Sequence, residues 1–249
     1  MAGTVIDPRA AAKRDAAVRA VDAVQSGMVV GLGTGSTAAF AIEEIGRRVA
    51  AGTLRDIVGI PTSNASHRLA LEYGVPLTTL EQHPKVDVTI DGADEIDPAG
   101  RVLKGGGGAL LREKIVATRS ARWILVVDAA KLVPHLGARY PLPVEVVTFG
   151  WQGHLDALRA LGAEPVLRSG GAEHPYLTDE GHYLIDARFP NGIAEPEAVH
   201  RELRARPGVV DTGLFLGLAS EIVLGRTGPD RAGQSRTRPD LRRTGRDKA

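Results

Sequence analysis

Residues 29–50 place a short apolar run, Val29-Val30, against a turn of glycines and hydroxyls, Gly31-Leu32-Gly33-Thr34-Gly35-Ser36-Thr37, after which Phe40, Ile42, Ile45 and Val49 recur at helical spacing. A strand that runs through a glycine turn straight into a helix is the opening of a βα unit, and the pattern repeats. The spacing predicts strands at 28–32, 57–60, 86–90 and 123–128, and helices near 8–25, 36–50, 64–73 and 109–118. A βαβα series of this kind can close its backbone hydrogen bonds only as a mostly parallel sheet with helices on both faces.

This is a Rossmann-like α/β arrangement, but its rhythm changes after Lys131. Val144–Phe149 reads as a strand, Trp151–Leu161 as a helix and Glu164–Leu167 as a strand. Gly170, Gly171, Asp179 and Gly181 punctuate a turn region before a strand at Tyr183–Arg188, and a helix at 196–205 and a strand at 209–215 follow. That order, βαββαβ, is ferredoxin-like. Leu218–Leu224 can return to the first sheet, which makes the smaller α+β unit an insertion. The expected division is a discontinuous large domain of 1–137 with 208–225, a small domain of 138–207 that carries oligomer contacts, and a disordered basic tail of 226–249. Of the chain's 31 Lys/Arg and 30 Asp/Glu, eight and three fall in that tail, leaving 23 and 27 elsewhere. It is rich in Gly, Pro, Ser and Thr, has almost nothing apolar, and is assigned no catalytic role. Trp151, Leu155, Leu158 and Leu161 lie at helical spacing and read as core. No internal repeat is present.

Three motifs carry chemistry. The turn at 31–37, followed by a helix, is a phosphate cradle in which backbone N–H groups and hydroxyls face the ligand with the positive helix end behind. It fits a dinucleotide site poorly: Ser36 stands where the third glycine of G-x-G-x-x-G belongs, and the strand at 57–60 runs into Pro61-Thr62-Ser63-Asn64 without the expected acid. No Gly-Lys-Ser/Thr follows, so it is not a P-loop, and a monophosphate fits better. The second motif is Val86-Asp87-Val88-Thr89-Ile90-Asp91-Gly92-Ala93-Asp94-Glu95-Ile96-Asp97, which delivers Asp91 and Asp94 to the carboxyl end of a strand. Taken alone, these acids suit turn formation, caps or a divalent cation; EF-hand spacing is absent and no histidine lies within the run. The third is Lys104-Gly105-Gly106-Gly107-Gly108 leading into a helix that bears Glu113. Consecutive glycines bring bare N–H groups close to an anion, and a carboxylate beside a lysine and such a nest is what proton abstraction next to a carbonyl requires. A surface turn with a solvated glutamate is the alternative.

The 249 residues are 43% hydrophobic, enough for a full core. The absence of cysteine excludes disulfides, a thiol nucleophile and Cys-ligated zinc. Histidines 67, 83, 135, 154, 174, 182 and 200 are scattered without ligand spacing, so no metal is expected. No apolar run approaches the ~20 residues of a membrane span, and the N-terminus lacks a secretory apolar region; Asp7-Pro8 instead opens a helix. An aromatic content of 4% offers little surface for stacking nucleic-acid bases. A cytoplasmic metabolic enzyme, with neither membrane nor nucleic acid as a partner, is the expectation.

In order and spacing, Gly31–Thr37, Asp91–Ile96 and Lys104–Ile115 closely resemble the A-type ribose-5-phosphate isomerases. Pro61-Thr62-Ser63, Val126-Val127-Asp128 with Lys131, Pro141–Val146 and Gly213-Leu214-Phe215 extend the likeness over about nine tenths of the chain. Ala130 stands where the family often has Ser. The resemblance implies an aldose–ketose isomerase of D-ribose 5-phosphate and D-ribulose 5-phosphate in the non-oxidative pentose phosphate pathway, working through an enediolate, with no cofactor or metal and as a homodimer or dimer of dimers. It implies Glu113, Lys104 and Asp91 as catalytic residues. Thr34, Gly35, Ser36, Thr37, Asp91, Gly92, Ala93, Asp94, Lys104, Gly105, Gly106, Gly107 and Lys131 are the implied substrate-binding residues. Glu113 would move the proton between C1 and C2 with its pKa raised by burial, and Lys104 would stabilise the oxyanion. Asp91 would shuttle hydroxyl protons while Asp94 holds hydroxyls. Two rivals remain. A non-catalytic sugar-phosphate sensor would lack the base and carry a DNA-binding helix pair, for which the residues before the first strand are too few. A Schiff-base aldolase would need a lysine of depressed pKa.

Overall fold

The computed structural model describes residues 8–171 and 174–226. The expected basic tail therefore lies, apart from Arg226, outside the described residues. The large sheet is wholly parallel. Its strands are β1 (Val29–Leu32), β2 (Val58–Pro61), β3 (Val86–Asp91), β6 (Ser120–Val127) and β12 (Glu221–Leu224), in the order β12-β6-β3-β1-β2. Helix α1 (Pro8–Val21) precedes β1, and α2 (Ser36–Ala50), α3 (Asn64–Glu72) and α4 (Leu110–Arg119) run between the strands. In β6 the run Trp123-Ile124-Leu125-Val126-Val127 is apolar at every position because both of its faces are covered. Ile124 and Val126 meet Ala16, Ala20, Ile42 and Ile45 from α1 and α2, whereas Trp123, Leu125 and Val127 meet Leu110 and Ala117 from α4 together with Phe215. Helix α1 stops four residues before its expected end, since Ala23 and Val24 donate to carbonyls only three residues back.

The smaller antiparallel sheet holds β7 (Leu142–Val146), β8 (Glu164–Leu167), β9 (Tyr183–Arg188) and β10 (Val209–Thr212) in the order β10-β7-β9-β8. Helices α5 (Leu155–Ala160) and α6 (Pro196–Arg204) complete the ferredoxin-like βαββαβ order. The helix expected over 151–161 begins as a 3-10 turn, Trp151–His154, before α5, and Leu158 is buried in this unit's core with Trp151, Leu155 and Leu161 packed against it.

The strand expected over 209–215 is in fact two. Val209–Thr212 pairs with β7, while β11 (Leu214–Phe215) pairs with β5 (Val102–Leu103), itself paired with β4 (Glu95–Ile96). The break is at Gly213, which donates to the Pro143 carbonyl and accepts from the Lys104 N–H. A side chain there would begin 2.2 Å from the Lys104 carbonyl oxygen, so the backbone can cross from one sheet to the other only as glycine. This third, three-stranded sheet seats Lys104.

Candidate active site

Strand order fixes where a ligand can bind. The chain leaves β1 for β2 on one side and then returns to β3 on the other, so β1 and β3 are neighbours whose following loops diverge. Open α/β sheets bind ligands at the carboxyl ends of such a pair. Here those ends are Gly33-Thr34-Gly35 and Asp91-Gly92-Ala93. Their close approach depends on Gly33, where a side chain would begin 2.4 Å from Asp91 Oδ1. The cleft above them is lined by Thr34, Gly35, Ser36, Thr37, Gly92, Ala93, Asp94, Lys104, Gly105, Gly107, Glu113 and Lys131, joined by Lys13 from α1.

At one end the cleft meets α2. Gly35 precedes its first turn and no side chain caps it, whereas α3 is closed by a reciprocal Ser63–Ser66 capping box. The first N–H groups of α2 thus stay available to an anion, with the helix dipole behind them. Lys13 donates to Ser36 Oγ at 2.9 Å, and Lys131 reaches the same cleft with its ammonium 3.3 Å from the Tyr140 hydroxyl. The Thr34 hydroxyl is 2.8 Å from both Thr62 Oγ1 and Ser63 Oγ, so Pro61-Thr62-Ser63 serves to fix the cradle's shape.

At the other end lies a buried ion cluster. Lys104 Nζ is 3.0 Å from Asp91 Oδ1 and 3.2 Å from Glu113 Oε1, and it donates to the Gly92 carbonyl. Asp91 Oδ1 also accepts from the N–H groups of Gly92 (2.7 Å) and Thr34 (3.2 Å). Asp91 is entirely buried and stands behind Lys104 rather than on the cleft wall; its Oδ2 has no hydrogen-bond partner among the described residues. Asp94 does line the cleft and accepts from the Gly106 N–H at 2.8 Å, while Gly106 itself lies off the wall.

Burial pushes the Glu113 carboxyl up to about 8, with Lys104 opposing and Asp91 adding to the rise. For Lys104, burial pulls the pKa down, but the charges of Asp91, Glu113 and Asp94 prevail and hold the ammonium above its ordinary value. Burial also raises Asp91, against the pull of Lys104. A carboxylate poised near neutrality beside a fixed cation is able to take a proton from carbon while the cation meets the oxygen that becomes negative. The cleft encloses about 120 Å³, too little for a dinucleotide. A larger cavity of about 580 Å³ on another side of α4, bounded by Ile60, Leu77, Leu80, Ile115 and Val116, holds no buried acid–base pair.

Lys13, Arg168 and Tyr176 escaped the sequence reading. Each is a single residue far along the chain from the motifs it joins, with no local pattern to mark it. Arg168 donates from Nη1 to the carbonyls of Gly105 (2.9 Å) and Gly106 (3.2 Å).

Fold and site together define a doubly wound α/β protein with a buried carboxylate–lysine pair facing a small cleft at an uncapped helix N-terminus. A family model described as ribose 5-phosphate isomerase A (phosphoriboisomerase A) matches residues 58–228. The ribose-5-phosphate isomerase A of Roseiflexus castenholzii is 53% identical over 218 residues, which is 88% of this chain and 92% of the relative. That of Deinococcus radiodurans is 50% identical over 209 residues, 84% of this chain and 91% of the relative. The solved structure of ribose 5-phosphate isomerase A from Methanocaldococcus jannaschii superposes with a TM-score of 0.83 at 38% identity, covering 91% of this chain and 97% of that one. A D-ribose-5-phosphate isomerase in complex with phospho-erythronic acid gives 0.85 at 38% identity, with the same coverage. The chain belongs to the ribose 5-phosphate isomerase A family.

Proposed function

We propose that this chain interconverts D-ribose 5-phosphate and D-ribulose 5-phosphate through an enediolate. The observation that carries the reading is Glu113: a buried carboxylate with a pKa near 8, 3.2 Å from the Lys104 ammonium, on the wall of a cleft whose far end is an uncapped helix N-terminus. The substrate phosphate sits on the N–H groups and hydroxyls of Gly35, Ser36 and Thr37, with Lys13 and Lys131 supplying positive charge. This places C1 and C2 toward Glu113. Glu113 removes the proton from C2 of the open-chain aldose and returns it to C1, one base serving one face. Lys104 and the N–H groups of Gly105 and Gly107 hold the oxyanion as it forms, while the Gly106 N–H stays on Asp94. Asp94, on the cleft wall, orients hydroxyls, and Asp91, expected from the sequence to shuttle protons, is buried behind Lys104 and acts by fixing its ammonium. Phospho-erythronic acid, bound by the related enzyme, is a phosphorylated sugar acid whose carboxylate has the charge and shape of an enediolate end. A Lys104 held charged by two carboxylates opposes a Schiff-base mechanism, which needs a free amine.

The same proposal includes turnover without a metal, a cytoplasmic setting, a homodimer or dimer of dimers, and the division into a large unit of 1–137 with 208–225 and a small one of 138–207. Within that division, Val209–Thr212 lends its strand to the small sheet. The test is conversion of ribose 5-phosphate in EDTA by wild type and Glu113→Gln. Turnover that collapses in the variant supports the reading. Equal rates overturn the choice of base, and an inactive wild type that still binds the sugar phosphate favours a sensor.

A further inference from the structure

The four-glycine run is the least constrained stretch of backbone in the chain, yet the mechanism asks it to present N–H groups at fixed positions. Glycine loses more conformational freedom on ordering than any other residue, so something must hold this loop. On its amide side, Gly106 donates to Asp94 Oδ2 and Gly108 to the Gly105 carbonyl at 3.0 Å. On its carbonyl side, three successive oxygens are taken up by two side chains from the small unit. Gly105 and Gly106 accept from Arg168 Nη1, and Gly107 accepts from the Tyr176 hydroxyl at 3.4 Å. Neither Arg168 nor Tyr176 lines the cleft, so these carbonyls are drawn to the outside of the loop.

Arg168 is itself fixed. It follows β8, and Asp186 on the adjacent β9 grips it by two bonds, Nε to Oδ2 at 2.9 Å and Nη2 to Oδ1 at 2.5 Å. Its guanidinium carbon lies 5.8 Å from the centre of the Tyr176 ring. A planar fork anchored along one edge leaves Nη1 aimed in a single direction, which a lysine ammonium cannot reproduce. Tyr176 also walls the loop in: a side chain at Gly108 would begin 2.2 Å from its hydroxyl oxygen.

We propose that Arg168, clamped by Asp186 and backed by Tyr176, is a positioning residue for the isomerisation. It turns the carbonyls of Gly105–Gly107 away from the substrate, so that the amides of Gly105 and Gly107 meet the developing oxyanion. Through it the small ferredoxin-like unit completes the catalytic site in addition to extending the core. The inference rests on the isomerase reading given above.

The experiment compares wild type, Arg168→Lys, Arg168→Met, Asp186→Asn and Tyr176→Phe. For each, kcat and KM for ribose 5-phosphate are measured, with calorimetric Kd values for phospho-erythronic acid and for inorganic phosphate. Misplacing a donor loop by about 1 Å can cost ~10²-fold in rate, so Arg168→Met is expected to lower kcat by roughly 30- to 100-fold with KM changed less than about threefold. Arg168→Lys and Asp186→Asn should fall between it and wild type, and Tyr176→Phe should lose the least. The decisive readout is the pair of affinities: the sugar acid should weaken by about the factor lost in kcat/KM, while phosphate, held at Ser36 and Thr37, stays within about twofold. Wild-type kcat in the Arg168 variants, or parallel loss of both ligands, overturns the proposal. If Arg168→Met does not fold, Asp186→Asn and Tyr176→Phe decide by the same ratio. A wild type without turnover would refute the isomerase reading, yet the two-ligand comparison would still test the clamp.

Discussion

Helix α4 carries two consecutive charged residues into two different buried clusters. Glu113 faces the cleft and meets Lys104, which also pairs with Asp91. Lys114 points to the opposite seam, where its ammonium is 2.7 Å from Asp211 Oδ1, 2.6 Å from the Thr212 carbonyl and 4.7 Å from the centre of the Phe215 ring. Lys104 is buried and Lys114 largely so, yet their pKa values move in opposite directions. Burial lowers Lys114, and the attraction of Asp211 does not outweigh it, whereas Lys104, between two carboxylates, is raised. The cluster at Lys114 is closed, with its donors spent inside the fold. The cluster at Lys104 has an excess of acid and opens to a cleft through Lys104 and Glu113. Burial of charge alone therefore does not mark a catalytic site. Imbalance together with access does, because only an unfinished set of interactions can be completed by a substrate.

The comparison breaks first at Glu113. Replacing it with Gln keeps the shape and removes the proposed base, so kcat should fall by about 10³- to 10⁴-fold, the upper part of what a positioned base contributes. The wild-type pH profile should agree: kcat/KM climbs as Glu113 loses its proton, with an acid limb near pH 8 that is absent from the residual activity of the variant. A profile flat from pH 6 to 9 would mean that a different group takes the proton.

Lys104→Met comes next. It removes the proposed oxyanion partner, at an expected cost of about 10²- to 10³-fold in kcat. It also leaves Asp91 and Glu113 facing each other without a cation, and breaking a buried pair in this way typically costs about 3–5 kcal/mol. Denaturant titration at pH 8 should show that loss, and it should shrink as the pH falls and the acids take up protons. A variant of unchanged stability would mean that the two carboxylates are already neutral beside Lys104.

Lys114→Met is the control on the closed cluster. Asp211 would lose its 2.7 Å partner but keep the Thr212 N–H at 2.7 Å and Arg204 Nε at 3.9 Å, so the expected cost is about 3 kcal/mol, at the lower end for a broken buried pair. Because Lys114 touches nothing that reacts, kcat in the folded variant should stay within about threefold of wild type. A large kcat loss at unchanged stability would erase the distinction between the two clusters.

Sequence alone separated these clusters only in part. The strand–turn–helix at Val29–Thr37, the acids closing β3 and the Lys104–Glu113 run were legible because each is a local pattern whose period or glycine content has one economical backbone solution. The parallel pairing of the large sheet was legible, since alternating strands and helices favour it; the strand order was not. What escaped was non-local or too short to have a period. Val209–Phe215 reads as one strand because only the nearness of the Lys104 carbonyl to Gly213 divides it. Strands β4, β5 and β11 are two residues long. Lys13, Arg168 and Tyr176 reach the site from other elements with no motif around them. The strand end that carries Asp91 was legible, but its depth behind Lys104 is a property of packing.

The smallest expected effect bears on the acid excess itself. A carboxyl raised to about 8 in the folded chain, against about 4.5 when exposed, binds its proton more tightly folded than unfolded between those values. Folding is therefore favoured by this group at low pH, and the contribution is lost as the pH rises toward 8 and the interior must hold the charge. Gln at 113 resembles the protonated acid and never acquires that charge. Glu113→Gln should consequently melt close to wild type at pH 5 and above it at pH 9, on the order of 5 °C higher, since each kcal/mol relieved moves Tm by about 2–4 °C in a chain of this size. Parallel scans at the two pH values measure the difference. A gain that is the same at both would tie the stabilisation to packing; a gain that appears only at pH 9 would show that the open cluster holds its base at a cost in stability.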